Sequence, residues 1–265
     1  MNLNISGLNA IVTGASKGLG LATARELLNE GANVLINSRS ESNISTAKSD
    51  LINCGYAKNQ IHTFSGDVTQ NAVCMGIANH ANNMMGGIDL LITNSGGPPA
   101  GSFDELDVID WEQAIDLSFK SHLFLIQSCL PYLKQSKYPS VLTITSFTIK
   151  NPLENLILSN TIRAATAALI KSLSIELGAE GIRFNSILPG WTSTDRVRNL
   201  LAYRAELNDS SVAIEKNKIT DSIPLRRMAE PEEFARVAAF LVSPAASYIT
   251  GVLLNVDGGI TRSLF

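Results

Sequence analysis

Histidine is scarce in this chain and missing where hydrolytic catalysis would need it, since His62, His80 and His122 all lie in the first half. Cysteine is equally sparse. Cys54, Cys74 and Cys129 stand far apart, with no Cys-x-x-Cys pair and no histidine cluster beside them. That pattern excludes a disulfide framework or a cysteine-rich metal module, and predicts reduced thiols in a cytoplasmic protein. An excess of charge of one sign is lacking too. The 21 Lys and Arg against 24 Asp and Glu leave a net charge of -3, which gives no footprint for nucleic acid. The first residues, Met1 to Gly7, show no basic segment followed by an apolar run, so no signal peptide is expected. No uncharged apolar run is long enough to span a bilayer.

What is present suits a globular α/β protein. The 265 residues are 45% hydrophobic and 17% charged, ample for a buried core. Strand-like apolar runs near 8–13, 33–37, 61–65, 88–93, 140–146, 182–188 and 252–256 alternate with helical patterns near 18–30, 41–53, 69–85, 110–135, 155–180 and 231–242. Such alternation predicts one doubly wound parallel sheet of about seven strands, Rossmann-like, with helices on both faces. No linker or repeat divides it, so residues 1–265 are read as a single domain. The stretch from Pro189 to Pro231 lacks a strand and is long for a loop, which predicts a lid-like insertion near 191–230.

The most informative segment is Thr13-Gly14-Ala15-Ser16-Lys17-Gly18-Leu19-Gly20, between the strand Leu8 to Val12 and a helical run that stops at Gly31. A strand turning through glycines into a helix offers a phosphate free backbone N–H groups and the positive end of a helix dipole. Gly14 permits the tight turn, Gly18 lets the backbone approach a pyrophosphate, and Gly20 allows close packing on the sheet. The same residues spell Gly14-x-Ser16-x-Gly18, the pattern of a nucleophile elbow. A hydrolase triad in the usual order needs a late histidine, and none exists, so that reading fails.

Dinucleotide enzymes that select NAD place a carboxylate at the end of the second strand to hold the ribose 2′-hydroxyl. Here that end reads Asn37-Ser38-Arg39. Arg39 and Lys17 are suited to a 2′-phosphate, which favours NADP(H) over NAD(H). Small or polar residues fall at strand ends near 13, 37, 67, 94, 146 and 189, the edge that lines the ligand crevice of such a sheet. Blander roles stay open. Asp67 also reads as a helix N-cap, Asn94 as a turn residue, and Thr192 and Thr194 as loop hydroxyls.

Taken in order, these motifs resemble the short-chain dehydrogenase/reductase family over nearly the whole chain. Thr13 to Gly20 resembles its cofactor loop, including Gly14, Ser16, Lys17, Gly18, Leu19 and Gly20. Asp67-Val68 resembles its adenine-contacting pair, and Asn94-Ser95-Gly96-Gly97 its Asn-Asn-Ala-Gly element with two changes. Pro189-Gly190 with Thr192 and Thr194 is similar to its nicotinamide-side loop, and Ile249-Thr250-Gly251 through Gly259 to its C-terminal signature. The resemblance implies hydride transfer between a nicotinamide cofactor and a carbonyl or alcohol.

The family's catalytic residues are an Asn, a Ser and a Tyr-x-x-x-Lys pair. The Ser corresponds to Ser146, but the Tyr position falls at Ser159, the Lys position at Arg163 and the Asn position at Ser118. A tyrosinate held near neutrality by an ammonium accepts an alcohol proton. A serine hydroxyl does not replace it, and an arginine stays protonated. Ser159 and Arg163 still share a helix face at i, i+4. Arg163 is therefore expected to hold an oxyanion or the nicotinamide ribose, and Glu154 is a candidate proton donor beside water. Leu158-Ser159-Asn160-Thr161-Ile162-Arg163, with Ser95 to Pro98 and Thr194 to Arg198, resembles a subgroup of 3-oxoacyl-acyl-carrier-protein-reductase-like proteins. Apolar residues around the helices near 110–135 and 155–180 (Leu123 to Ile126; Ala164, Ala165, Ala167 to Ile170) need a second buried face. With the family resemblance, they predict a homotetramer.

Overall fold

In a computed structural model, residues 2–264 are described. Seven strands, β1 (Asn9–Val12), β2 (Asn33–Ser38), β3 (Ile61–Ser65), β4 (Leu90–Thr93), β5 (Ser140–Ile144), β6 (Arg183–Pro189) and β7 (Leu253–Val256), form one sheet in the order β3-β2-β1-β4-β5-β6-β7. Every pairing is parallel. β4 and β5 are buried along their full length, as strands covered on both faces must be. The expected doubly wound sheet is thus present, with each strand within a few residues of its predicted place.

Helices α1 (Gly18–Asn29), α2 (Glu41–Asn53), α3 (Asn71–Met85), α4 (Val108–Ile115), α5 (Ser121–Leu133), α6 (Ile157–Glu176), α7 (Asp195–Leu207), α8 (Val212–Ser222) and α9 (Pro231–Val242) make the covering layers and the insertion. One face of the sheet packs Ala10, Val12, Val34 and Ile36 against Ala24 and Leu27 of α1 and Phe234 and Ala238 of α9. The opposite face packs Ile11, Leu35 and Leu91 against Ile77 of α3, Leu125 and Cys129 of α5 and Ile170 of α6. α9 starts where the chain tells it to: Pro231 sits at the first helical position, and Glu230 and Glu233 close a capping box.

Two features depart from the sequence expectation. The helix expected over 110–135 is α4 and α5 joined by a π turn at Asp116–Lys120. Single π turns inside helices cluster at functional sites. The strandless insertion is not irregular: it holds α7 and α8, whose polar composition hid their periodicity. Their apolar residues Leu201 and Ile219 join Trp191, Ile223, Met228 and Phe147 in a separate small core. Phe147 follows Ser146, so the insertion is packed onto the end of β5.

Between β1 and β4 the strand order reverses. At such a switch point the loops leaving neighbouring strands diverge to opposite faces and leave a crevice at their carboxyl ends.

Candidate active site

A cavity of about 470 Å³ opens at that crevice. It is lined by Gly14, Ser16, Lys17, Gly18, Leu19, Arg39, Asp67, Val68, Asn94, Ser95, Gly96, Ser146, Ser159, Arg163, Pro189, Gly190, Thr192 and Thr194; of the cofactor-loop residues expected from the sequence, Gly20 does not line it.

The glycine-rich loop is tied to β4 and β2 by the side chains of Thr13 and Asn94 and by one backbone bond. Thr13 Oγ1 donates to the Asn94 carbonyl at 2.8 Å and accepts from the Asn94 N–H at 3.0 Å. Asn94 Nδ2 donates to the Gly14 carbonyl at 3.1 Å, and the Ala15 N–H reaches the Asn37 carbonyl at 2.8 Å. Gly14 has φ 57°, in the left-handed region. A Cβ on Gly20 would lie 2.4 Å from the Gly14 carbonyl oxygen, so the helix start can seat only glycine there. Lys17, the N-cap of α1, makes no side-chain cap. The first N–H groups of α1 are therefore available to an anion, and this cradle fits a pyrophosphate.

At the β2 end, Asn37 Nδ2 donates to the carbonyls of Phe64 and Gly66, at 3.0 and 3.1 Å, tying β2 to β3. Arg39 lies exposed at the cavity rim. Lys17 Nζ is 3.5 Å from Asp195 Oδ2, an exposed pair that links the loop to the insertion. The reading of Asp67 as a helix cap is corrected. α3 begins at Asn71, and Asp67 Oδ1 instead accepts from the N–H and hydroxyl of Thr69, at 3.0 and 2.9 Å. Thr194 is the residue that caps a helix, accepting the Val197 N–H at the start of α7.

The other half of the cavity carries Ser146, Ser159 and Arg163. Ser146 lies just past β5 and caps a short 3-10 turn. Its Oγ accepts from the Thr148 N–H at 3.2 Å and from the Thr148 hydroxyl at 3.0 Å. With both lone pairs engaged, the Ser146 hydroxyl has one role left, as a donor toward the cavity. Ser159, on the first turn of α6, borders the same space and is 9% exposed.

Arg163, one turn further along α6, is 7% exposed. Its Nη1 donates to the carbonyls of Ile144 and Thr145 at 3.2 and 2.8 Å, and its Nη2 to that of Gly96 at 3.2 Å. The guanidinium thus clasps the end of β5 to the loop after β4. Burial, aided by the neighbouring Arg196 charge, pulls its pKa down to about 10, so it stays cationic at neutral pH.

Two residues that the sequence offered for this chemistry lie elsewhere. Glu154 is exposed and borders a separate, smaller cavity with Tyr203 and Arg204, so its candidacy as proton donor is withdrawn. Ser118 sits in the π turn, fully buried, and does not line the main cavity. Its Oγ has no partner among the described residues, while its carbonyl accepts the Thr166 hydroxyl at 2.5 Å.

Two others went unassigned. His122 is buried behind Ser95, with Nδ1 2.8 Å from Thr93 Oγ1 and Nε2 3.4 Å from Ser95 Oγ. Burial, then the Arg163 charge, lowers its pKa to about 3, so the ring is neutral. Arg196, on α7, lies on Gly97, where a Cβ would come within 2.8 Å of Nε, and donates to the Pro98 carbonyl at 2.6 Å. No periodicity marks either residue. Only the glycine pair at 96–97 hinted that a bulky group presses on that loop.

No group of three or more His, Cys, Asp and Glu that could hold a metal ion exists among the described residues. No helix among them is long and apolar enough to cross a membrane.

Comparison with known proteins bears on this cavity. A family model described as enoyl-(acyl carrier protein) reductase matches residues 14–261. The NADPH-dependent reductase BacG of Bacillus subtilis is 29% identical, the match covering 96% of this chain and 98% of that protein. L-sorbose reductase from Gluconobacter frateurii, solved with NADPH and L-sorbose, superimposes with a TM-score of 0.93 at 26% identity, covering both chains fully. An NADPH-bound short-chain oxidoreductase from Pseudomonas aeruginosa, described as containing an atypical catalytic center, gives a TM-score of 0.87 at 28% identity over 96% of each chain.

Proposed function

The chain belongs to the short-chain dehydrogenase/reductase family, and from that premise we propose that it is an NADP(H)-dependent reductase of carbonyl compounds with an atypical active site. The reading takes residues 1–265 as one catalytic domain, with 191–230 as the substrate-side lid. The resemblance to 3-oxoacyl-acyl-carrier-protein-reductase-like proteins with Ser-Asn-x-x-Arg in place of Tyr-x-x-x-Lys belongs to the same proposal.

Gly14, Ser16, Lys17, Gly18, Leu19 and Gly20 would hold the pyrophosphate side of the dinucleotide. Asp67 and Val68 would border its adenine, and Asn94, Ser95, Gly96, Pro189, Gly190, Thr192 and Thr194 its nicotinamide half. Lys17 and Arg39 suit the extra phosphate of NADP, and the NADPH-dependent and NADPH-bound relatives support that choice. When bound, the reduced nicotinamide supplies a hydride.

The observation that carries the reading is the Ser146 hydroxyl. Two bonds from Thr148 orient it, and its remaining hydrogen is suited to a substrate carbonyl oxygen at the cavity wall. A fixed donor of this kind stabilises the negative charge that develops on that oxygen. Arg163 adds positive charge beside it, and Ser159 a hydroxyl from the same helix face. None of the three is a base near neutral pH, so the site favours reduction over alcohol oxidation, with the proton drawn from water.

Two further parts of the proposal rest on surfaces. The reduced, widely spaced thiols suit the cytoplasm; burial pushes Cys74 up to about 12, well into the inert range. Exposed Val108 and Ile109 on α4 and Ile175 on α6 suit two-fold contacts in a homotetramer.

The test is consumption of NADPH and NADH with a panel of aldehydes, ketones and oxo esters, run beside alcohols with NADP+. Faster oxidation of NADPH by a carbonyl, with negligible alcohol oxidation, supports the proposal. Tight NADPH binding with no consumption across the panel would instead make this a nucleotide-binding protein without dehydrogenase turnover.

A further inference from the structure

Three arginines, Arg163 buried, Arg183 part-buried and Arg196 more exposed, behave differently. Arg183 lies away from the cavity and spends both Nη groups on four carbonyls, those of Leu241, Val242, Ser243 and Ile249, at 2.7 to 3.3 Å. It is a brace for the end of α9. Arg163 and Arg196 both line the cavity, and neither is used up. Arg163 keeps its Nε–H and one Nη2 hydrogen, and Arg196 has one bond, to Pro98.

Their carbonyl anchors, Gly96 and Pro98, are two residues apart on one loop, and both side chains line the one cavity. Among the described residues, neither pairs with a carboxylate. The two acids that line the cavity are engaged elsewhere: Asp195 with Lys17 and Arg198, Asp67 with Thr69. Both arginines have lowered pKa values through burial, and Arg163 is further depressed by Arg196. A buried guanidinium and a more exposed one on the same cavity wall, neither with a counter-ion, form a ready site for an oxyanion, and a guanidinium fork matches a carboxylate.

We propose that Arg163 and Arg196 bind a carboxylate of the substrate, so that the carbonyl compound reduced at Ser146 is an oxo acid rather than a neutral ketone. The inference rests on the reductase reading for the reaction, but not for the binding. Trp191, Leu153 and Phe147 on the same wall suit an apolar tail on that acid. The other anion that such a pair suits is the pyrophosphate of the dinucleotide, and the experiment separates the two.

Oxalate, 3-oxohexanoate and methyl 3-oxohexanoate are titrated by calorimetry into protein saturated with NADP+, and the oxo acid and ester are compared as substrates with NADPH. The proposal expects both anions to bind about 10- to 100-fold more tightly than the ester, the range of a charge-assisted hydrogen-bonded pair. Arg196→Gln should bring that ratio close to one, Arg196→Lys should restore part of it, and Arg198→Gln, an exposed neighbour on the same helix, should leave it in place. If Arg196→Gln instead weakens NADP+ binding, and acid and ester bind alike throughout, the pair serves the cofactor and the proposal is overturned. Anion binding without turnover would uphold the site while removing the reductase reading.

Discussion

The two halves of the cavity are built on different principles. The half at β1, β2 and β4 is made of backbone: glycines, an uncapped helix start and carbonyls tied by Thr13, Asn37 and Asn94. The half at β5, α6 and α7 is made of side chains, two serines and two arginines, the buried one clasping three carbonyls. Backbone recognition of a phosphate constrains the sequence to a few residue types at fixed spacing. Side-chain recognition of a substrate does not, because several groups supply a donor or a charge. The cofactor half is therefore the more constrained in sequence, and the other half the freer.

That difference gives ways to break one half and spare the other. The largest effect is expected in the backbone half. Gly20→Ala drives a methyl into the Gly14 carbonyl 2.4 Å away. Overpacking of this kind costs about 1–3 kcal/mol. Because the displaced group is the phosphate cradle itself, NADPH affinity by calorimetric titration should fall about 100-fold or more, with far-UV circular dichroism unchanged. Undiminished affinity would mean that the cradle is not the binding site.

Arg163→Ala tests the side-chain half. It leaves the carbonyls of Ile144, Thr145 and Gly96 without their donor. At about 1 kcal/mol or more for each buried acceptor, urea unfolding should show a loss of roughly 3 kcal/mol. Arg163→Lys should recover part of it, since one ammonium cannot replace a fork. A loss under about 1 kcal/mol would say that water replaces the clasp.

Arg39→Asp probes the rim where the two nucleotides differ. Removing a cation and adding an anion should weaken NADPH binding about tenfold or more and leave NADH binding level or improved, reversing the preference. Equal affinities in the unaltered protein would contradict the assignment of Arg39 and Lys17 to the extra phosphate.

The smallest effect concerns His122, which links the halves through Thr93 and Ser95. Its folded pKa of about 3 lies below the ordinary 6.5. The unfolded chain binds the proton first, so this residue's stability is complete above pH 6.5 and is lost as pH falls toward 3. His122→Gln should flatten the decline in stability just below pH 6.5. An unchanged slope would mean that other groups set it.

The order in which these features could be seen in the sequence follows the same division. The glycine loop, the missing carboxylate after β2 and the alternation of strands and helices were legible because backbone geometry restricts which residues serve. α7 and α8 were not, since short polar helices on a lid show little periodicity. The cap stood as an alternative for Asp67 because an acid after a strand looks the same whether it starts a helix or closes a turn. Glu154 was adjacent in sequence to the site and not in space. Arg196 and His122 escaped because their role depends on packing between distant segments, Arg196 on Gly97 and His122 behind Ser95, which no local pattern records.

The central claim is that the Ser146 hydroxyl, fixed by Thr148, carries reduction in this cavity. Ser146→Ala, measured on the best carbonyl substrate with saturating NADPH, tests it most directly. The account predicts a fall in kcat of about 100-fold, the effect of removing one oxyanion donor, with NADPH affinity unchanged. Turnover that survives Ser146→Ala intact would place the chemistry elsewhere in the cavity.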